Sequence, residues 1–148
     1  MTSGNVSGAV LAFDFGEKRI GVAVGDLKVR IAHPLATIAA EDNATRFAQI
    51  AKLVAEWRPA KLVVGLPSHA DGTEHELSRL ARRFALRLEG RFGIPAALVD
   101  ERLTSRAAES RLRESGARAR KIDELIDAAA AREILEAYFE SEAARPLR

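Results

Sequence analysis

The chain has 148 residues, 47% of them hydrophobic, which is enough for a folded domain with its own core. It contains no cysteine, which excludes disulfide bonds and thiolate metal sites. No apolar run reaches membrane-spanning length and the start lacks a secretory signal pattern, so we expect a cytoplasmic protein without a membrane anchor. We predict a single domain over residues 9–140, with flexible tails at 1–8 and 141–148.

Charge is distributed unevenly along the chain. The formal net charge is +2, yet residues 79–121 carry 12 basic and 5 acidic side chains, a local balance of +7. Most of these basic residues are arginines, whose planar guanidinium groups suit phosphate. The region therefore favours a polyanionic partner, although two solvated amphipathic helices would have the same composition.

The first part of the chain contains three short apolar runs that predict strands, at 9–15, 20–24 and 34–38. A brief polar turn separates the first two, which is typical of a hairpin. Asp42 or Asn43 can cap a helix that continues to about Trp57. Trp57 falls on the apolar stripe of that helix, which assigns it to the core rather than to a base-stacking surface.

Strands and helices then alternate: strands at 61–67 and 96–99, helices that begin at Thr73 and Thr104, a basic loop at 117–121, and a last helix from about Ile122 to Glu140. The order βββαβαβαα indicates one mixed α/β domain. Strands joined through a crossover helix should be parallel, and the first hairpin should add antiparallel strands at one side.

The helix that begins near Thr73 carries two stripes of side chains. One is apolar and should face the core: Leu77, Leu80, Phe84 and Leu88. The other repeats arginine at every fourth residue: Arg79, Arg83, Arg87 and Arg91. We expect the arginine stripe to face outward and to be available for phosphate.

Two acidic residues follow predicted parallel strands. Asp14 ends an otherwise apolar strand, where an uncompensated carboxylate is costly, unless it only caps the turn that follows. Glu101 follows the fifth strand, and the carboxyl ends of parallel strands meet at the edge where open α/β sheets place their sites. Asp100 and Glu101 point to opposite sides of an extended chain, so only one should reach this site.

Asp127 is the third acidic candidate and precedes four consecutive alanines on the last helix. Small side chains would let this helix lie close to the sheet with Asp127 at the interface; the alternative is an exposed aspartate beside an ordinary alanine run. Converging carboxylates require compensating charge, and oxygen ligands select hard cations. We therefore predict that Asp14, Glu101 and Asp127 hold Mg²⁺ or Mn²⁺, as two ions, for phosphodiester hydrolysis.

Four segments in order resemble the YqgF (RuvX-like) family of ribonuclease H-like, RuvC-type nucleases: Asp14–Ala23, Val64–Pro67 with Asp71–Glu74, Asp100–Thr104, and Ile126–Ala129 with Ile134–Tyr138. The resemblance implies an α/β, ribonuclease H-like fold with a five-stranded mixed sheet flanked by helices. It also implies that Asp14, Glu101 and Asp127 are metal-binding carboxylates. It further implies a cytoplasmic nuclease that processes the 5′ end of precursor 16S ribosomal RNA, in a family also described as Holliday-junction resolvases.

Basic residues are the predicted contacts with the nucleic-acid backbone: Lys18, Arg19, Arg79, Arg83, Arg87, Arg102, Arg118, Arg120 and Lys121. Two features depart from the family pattern. The loop at 68–70 has His69 where the family has an asparagine-containing sequence, and His69 either contacts phosphate or is merely solvated. The fourth strand ends in Gly65-Leu66-Pro67 without the acid that RuvC-type resolvases carry there.

Other interpretations remain open at this stage. The turn after the first strand also resembles the phosphate loop of actin-like and sugar-kinase ATPases, but the second phosphate loop and the adenosine motif are not recognisable. A non-catalytic RNA-binding assembly factor would use the basic surface alone. The residues do not distinguish precursor RNA from branched DNA, and they carry no signature of an oligomeric state.

Overall fold

The computed structural model describes residues 8–67, 76–101 and 119–141. Within these ranges five strands form one sheet: β1 Ala9–Asp14, β2 Ile20–Asp26, β3 Ala32–Ile38, β4 Lys61–Leu66 and β5 Ala96–Asp100. Three helices accompany it: α1 Asn43–Trp57, α2 Glu76–Phe92 and α3 Ala119–Ser141. The predicted α/β class and element order are confirmed for this part of the chain.

The strand order in the sheet is β3-β2-β1-β4-β5. β2 is antiparallel to β1 and β3, whereas β4 is parallel to β1 and β5. This is the predicted mixed sheet, with the hairpin strands at one side. β1, β4 and β5 end along one side of the sheet, at Asp14, Leu66 and Asp100, and this side is named the carboxyl edge below.

The two faces of the sheet have separate cores. Leu11 and Phe13 of β1 pack with residues of α1 and α2, including Phe47 and Phe84. Val10 and Ala12 belong to the opposite face, which is covered by α3 through residues such as Ala131, Ile134 and Leu135. Because side chains alternate along a strand, Asp14 continues the row of Val10 and Ala12 and lies on the α3 face.

α3 approaches β2 very closely because β2 has glycine at the contacts. A Cβ atom at Gly21 would lie 1.9 Å from the main-chain carbonyl oxygen of Asp127, and one at Gly25 would lie 2.9 Å from Leu135 Cδ2. The alanines of the helix predicted this close approach from the helix side. The structure adds that the sheet side must also lack side chains, because the helix backbone occupies their space.

Asp42 is the N-cap of α1, one of the two predicted caps. Its carboxylate accepts a hydrogen bond of 2.8 Å from the Thr45 main-chain N–H, and this bond lowers the pKa of Asp42 below its usual value. The cap fixes where α1 begins after β3. That placement determines which α1 side chains face the carboxyl edge.

α3 begins at Ala119, three residues before the predicted start, so the predicted loop at 117–121 is wrong for its last three residues. Ala119, Arg120 and Lys121 are good helix formers without a breaker, and the helix continues through them. The predicted capping box at Thr73 and the predicted helix from Thr104 lie outside the described residues. No helix in the described part of the chain has the length and apolarity needed to cross a membrane.

Gly21→Ala should destabilise the protein because its methyl group would overlap the Asp127 carbonyl group. Overpacking of this kind costs about 1–3 kcal/mol, and equilibrium denaturation in urea would measure the loss. The control is Gly90→Ala on α2, where no atom lies within 4 Å of the new methyl group and helix propensity improves. Wild-type stability of Gly21→Ala would contradict the close contact between α3 and β2.

Candidate active site at the carboxyl edge

Two acidic side chains lie on the α3 face of the carboxyl edge. Asp14 is the last residue of β1 and is partly buried, and Glu101 directly follows β5 and is only 8% exposed. Glu101 Oε2 lies 2.8 Å from where a Cβ of Gly65 would be, so its carboxylate covers β4. β4 lies between β1 and β5, so the Glu101 side chain extends over β4 on the side toward β1.

Asp127 joins this edge from α3. Its main-chain carbonyl group contacts Gly21, and Gly21 is the cross-strand partner of Asp14 in the β1–β2 register. The Asp127 side chain is 18% exposed, so it lies at the helix–sheet interface and not on the solvent side of the helix. All three predicted carboxylates thus belong to one edge and one face of the sheet.

The Asp127 carboxylate is engaged by a basic residue of the β1–β2 turn. Arg19 Nε donates a hydrogen bond of 2.6 Å to Asp127 Oδ2, and the two oppositely charged side chains thereby form an ion pair. Across the described ranges, no three acidic or histidine side chains have the spacing of a metal site. The shared edge is therefore observed, whereas metal binding by Asp14, Glu101 and Asp127 stays a prediction.

The chemistry of this edge suits a hard cation. Asp14 and Glu101 offer carboxylate oxygens, the ligands that Mg²⁺ and Mn²⁺ prefer. Gly65 has no side chain, and the Glu101 carboxylate lies in the space that a Cβ there would need. Ile134 Cδ1 borders the same space and closes its apolar side. The residues present are therefore compatible with a bound divalent ion.

Arg46 of α1 fixes the turn that follows β1, and the sequence had not identified it. Its side chain is 3% exposed, Nη2 donates a 2.6 Å hydrogen bond to the Gly16 carbonyl group, and Nε donates to that of Ala40. The guanidinium group also lies 5.4 Å from the centre of the Phe15 ring. Burial lowers the pKa of Arg46, but a guanidinium group remains protonated at neutral pH.

The turn between β1 and β2 is tight. A Cβ at Gly16 would lie 2.5 Å from the Arg19 carbonyl oxygen, so only glycine fits there without displacing the backbone. With Gly16 also bound by Arg46, the backbone next to Asp14 and Arg19 is held from two directions. Lys18, a predicted nucleic-acid contact, is exposed at the tip of this turn.

The arginine stripe lies on the other layer of the molecule. Arg79, Arg83, Arg87 and Arg91 are exposed on α2, as expected, but α2 packs on the face opposite α3. Ser78 Oγ donates to the Pro67 carbonyl group, which keeps the first turn of α2 at the carboxyl edge. At about 1.5 Å of helix rise per residue, Arg87 lies about 12 Å farther along the helix than Arg79. The stripe therefore leads away from the edge.

Two arginines of this stripe have partners that the sequence did not indicate. Arg79 pairs with Glu76, and the guanidinium group of Arg91 lies 4.3 Å from the centre of the Phe47 ring. Arg102, Arg118 and His69 lie outside the described residues. Arg120 and Lys121 lie in the first turn of α3, and their side chains are not among those described.

Comparison with known proteins relates this architecture to nucleases. A family model described as "RuvX: Holliday junction resolvase" matches residues 8–141. A protein of Dechloromonas aromatica named "Putative pre-16S rRNA nuclease" is 60% identical over 134 residues, covering 90% of this chain and 92% of its own length. A protein of the same name from Nitrosomonas europaea is 56% identical, covering 95% and 94%.

Solved structures show the same fold at low identity. RuvC of T. thermophilus in complex with a Holliday-junction substrate has a TM-score of 0.59 and 17% identity, covering 93% of this chain and 98% of its own. A second Thermus thermophilus RuvC structure has a TM-score of 0.55. The predicted ribonuclease H-like fold is thereby confirmed. With a family match across the sheet and α3, and relatives this similar over nearly their full lengths, the chain belongs to the RuvX family.

Proposed function

We propose that this protein is a cytoplasmic, metal-dependent nuclease that hydrolyses phosphodiester bonds of precursor 16S ribosomal RNA. The observation that carries the proposal is the pair of carboxylates, Asp14 and Glu101, which two parallel strands bring to one face of the carboxyl edge. The names of relatives at 56–60% identity support the choice of RNA. Asp14, Glu101 and Asp127 are the proposed catalytic residues.

The proposed cofactor is Mg²⁺ or Mn²⁺, as two ions, held by Asp14, Glu101 and Asp127. Such ions, when bound, activate a water molecule and neutralise the leaving oxygen of a phosphodiester. The chain itself contributes rigidity: burial fixes the Glu101 carboxylate over Gly65, and Arg46 holds the turn beside Asp14. Side chains that are held in place before the substrate binds need little rearrangement to reach the transition state.

The proposed substrate contacts are made through phosphate groups. Lys18 and Arg79 are exposed close to the carboxyl edge, one in the β1–β2 turn and one in the first turn of α2. The remaining arginines of α2 extend this positive surface along the outer layer. Since phosphate contacts carry no base information, they suit a substrate recognised by shape.

A Holliday-junction resolvase is the second candidate, favoured by the description of the matching family model. The two substrates share phosphodiester chemistry and differ in shape. Purified protein with Mn²⁺ or Mg²⁺ should be offered a precursor 16S ribosomal RNA fragment and a four-way DNA junction in parallel. Cleavage of the RNA alone supports the proposal, and cleavage of the junction alone supports the resolvase. Binding without cleavage of either substrate supports an assembly factor.

Asp14→Asn should abolish cleavage and leave nucleic-acid binding largely intact. The amide preserves the shape of the side chain but removes the charge that attracts cations, and the loss of one negative charge on the face that also carries Glu101 should leave the melting temperature unchanged or raise it. Cleavage at saturating Mn²⁺, RNA affinity and thermal unfolding should be measured together. Asp100→Asn is the matched control. Asp100 ends β5 in the row of Ala96 and Leu98, whose side chains face α2 and not α3. Full activity of Asp14→Asn would remove Asp14 from the mechanism.

Replacing Arg83 and Arg87 by glutamate should lower the affinity for RNA and make that affinity less sensitive to salt concentration. Each lost phosphate contact should reduce the slope of log affinity against log salt by about one. Fluorescence anisotropy at several salt concentrations would measure both quantities. The control is Lys52→Glu on an exposed position of α1, which changes the charge by the same amount as each arginine substitution. If the arginine variants behave as this control does, the stripe is a solvated helix face.

A further inference from the structure

The Arg19–Asp127 ion pair occupies an oxygen that the proposed function assigns to a cation. Arg19 Nε lies 2.6 Å from Asp127 Oδ2, although the residues are 108 positions apart in the chain. The two side chains are only 37% and 18% exposed, so the pair is partly shielded from water. A divalent ion that uses Asp127 Oδ2 must therefore compete with the guanidinium group.

We propose that Arg19 is a positioning residue that exchanges partners during binding: a divalent cation displaces its guanidinium group from Asp127, and a phosphate of the nucleic acid then accepts it. The inference rests on the proposed function and adds a coupling between cation and substrate. Arginine suits both states, because the geometry of its planar guanidinium group matches both carboxylate and phosphate.

The geometry restrains the backbone that carries the carboxylate of this pair. The Asp127 main chain is held against Gly21, so α3 cannot move toward the sheet or follow a departing arginine without losing that contact. A cation that uses Asp127 Oδ2 therefore competes with Arg19 for that oxygen. A positive charge this close also repels a second cation directly.

Arg19 can leave through its side chain alone. Its carbonyl group is held against Gly16, and Gly16 is held by Arg46, so the turn backbone is restrained. The side chain, however, is more than one third exposed and reaches solvent. Rotamer changes of such side chains are fast, and the exchange requires no change of fold.

Exchange of this kind couples the two ligands. Cation binding releases a guanidinium group at the edge where the phosphodiester is proposed to bind, and a phosphate that accepts Arg19 leaves Asp127 available to the cation. By thermodynamic linkage, each ligand should then raise the affinity for the other by the same factor. The expected coupling is about 5-fold or more, the lower end of typical values.

The first test measures Mn²⁺ binding to the full chain by calorimetry, without nucleic acid. Arg19→Gln should bind Mn²⁺ about 5-fold or more tightly than wild type, because the competitor and its charge are both removed. Arg19→Lys keeps the charge and should fall between them. Lys52→Gln removes one exposed charge from α1 and should match wild type. Thermal unfolding of each variant verifies that it is folded.

A double-mutant cycle assigns the effect to the pair. In an Asp127→Asn background the same Arg19→Gln change should raise Mn²⁺ affinity less than in wild type, since the contested carboxylate is absent and only the direct repulsion by Arg19 is relieved. Affinity for an RNA hairpin at constant ionic strength, with and without Ca²⁺, gives the second readout. Ca²⁺ should tighten binding to wild type and tighten it less in Arg19→Gln.

The outcomes separate this inference from the function on which it rests. Equal Mn²⁺ affinity of wild type and Arg19→Gln, or an equal effect of Arg19→Gln in both backgrounds, would overturn the exchange while a metal-dependent nuclease stands. Failure of wild type and every Arg19 variant to bind Mn²⁺ would overturn the proposed cofactor, and the exchange with it. Tighter binding by Arg19→Gln that is reduced in the Asp127→Asn background supports the exchange.

Discussion

The contact between α3 and the glycines of β2 is the constraint on which the site depends. α3 carries Asp127, and the helix backbone at this residue occupies the space that a side chain at Gly21 would need. Gly21 is also the cross-strand partner of Asp14, so the contact brings the third carboxylate next to the end of β1. A side chain on β2 would push the helix outward and move Asp127 away from the other acids.

The same use of glycine explains how Glu101 serves the edge although β4 carries no acid. β4 ends in Gly65 and Leu66, and the Glu101 side chain from β5 extends over Gly65. A side chain at Gly65 would compete for this space. The carboxylate therefore reaches the middle of the edge from the neighbouring strand.

Buried positive charge organises the opposite layer. Arg46 is nearly inaccessible to water, and its hydrogen bonds to the Gly16 and Ala40 carbonyl groups join α1 to the β1–β2 turn and to the segment between β3 and α1. Burial of a guanidinium group is costly unless its donors are satisfied, so these bonds are needed as well as useful. They hold the β1–β2 turn, which in turn presents Arg19 to Asp127.

The sequence by itself determined the α/β class, the order of the elements, the mixed sheet and the family resemblance, because strand and helix periodicity and four ordered segments are local signals. It also indicated Asp14, Glu101 and Asp127 from their places at strand ends and beside an alanine run. Only the tertiary structure decided the Arg19–Asp127 pair, the role of Arg46, the space at Gly21 and Gly65, and the layer on which the arginine stripe lies. These depend on contacts between residues 30 to 108 positions apart, and no local pattern specifies which helix covers which face.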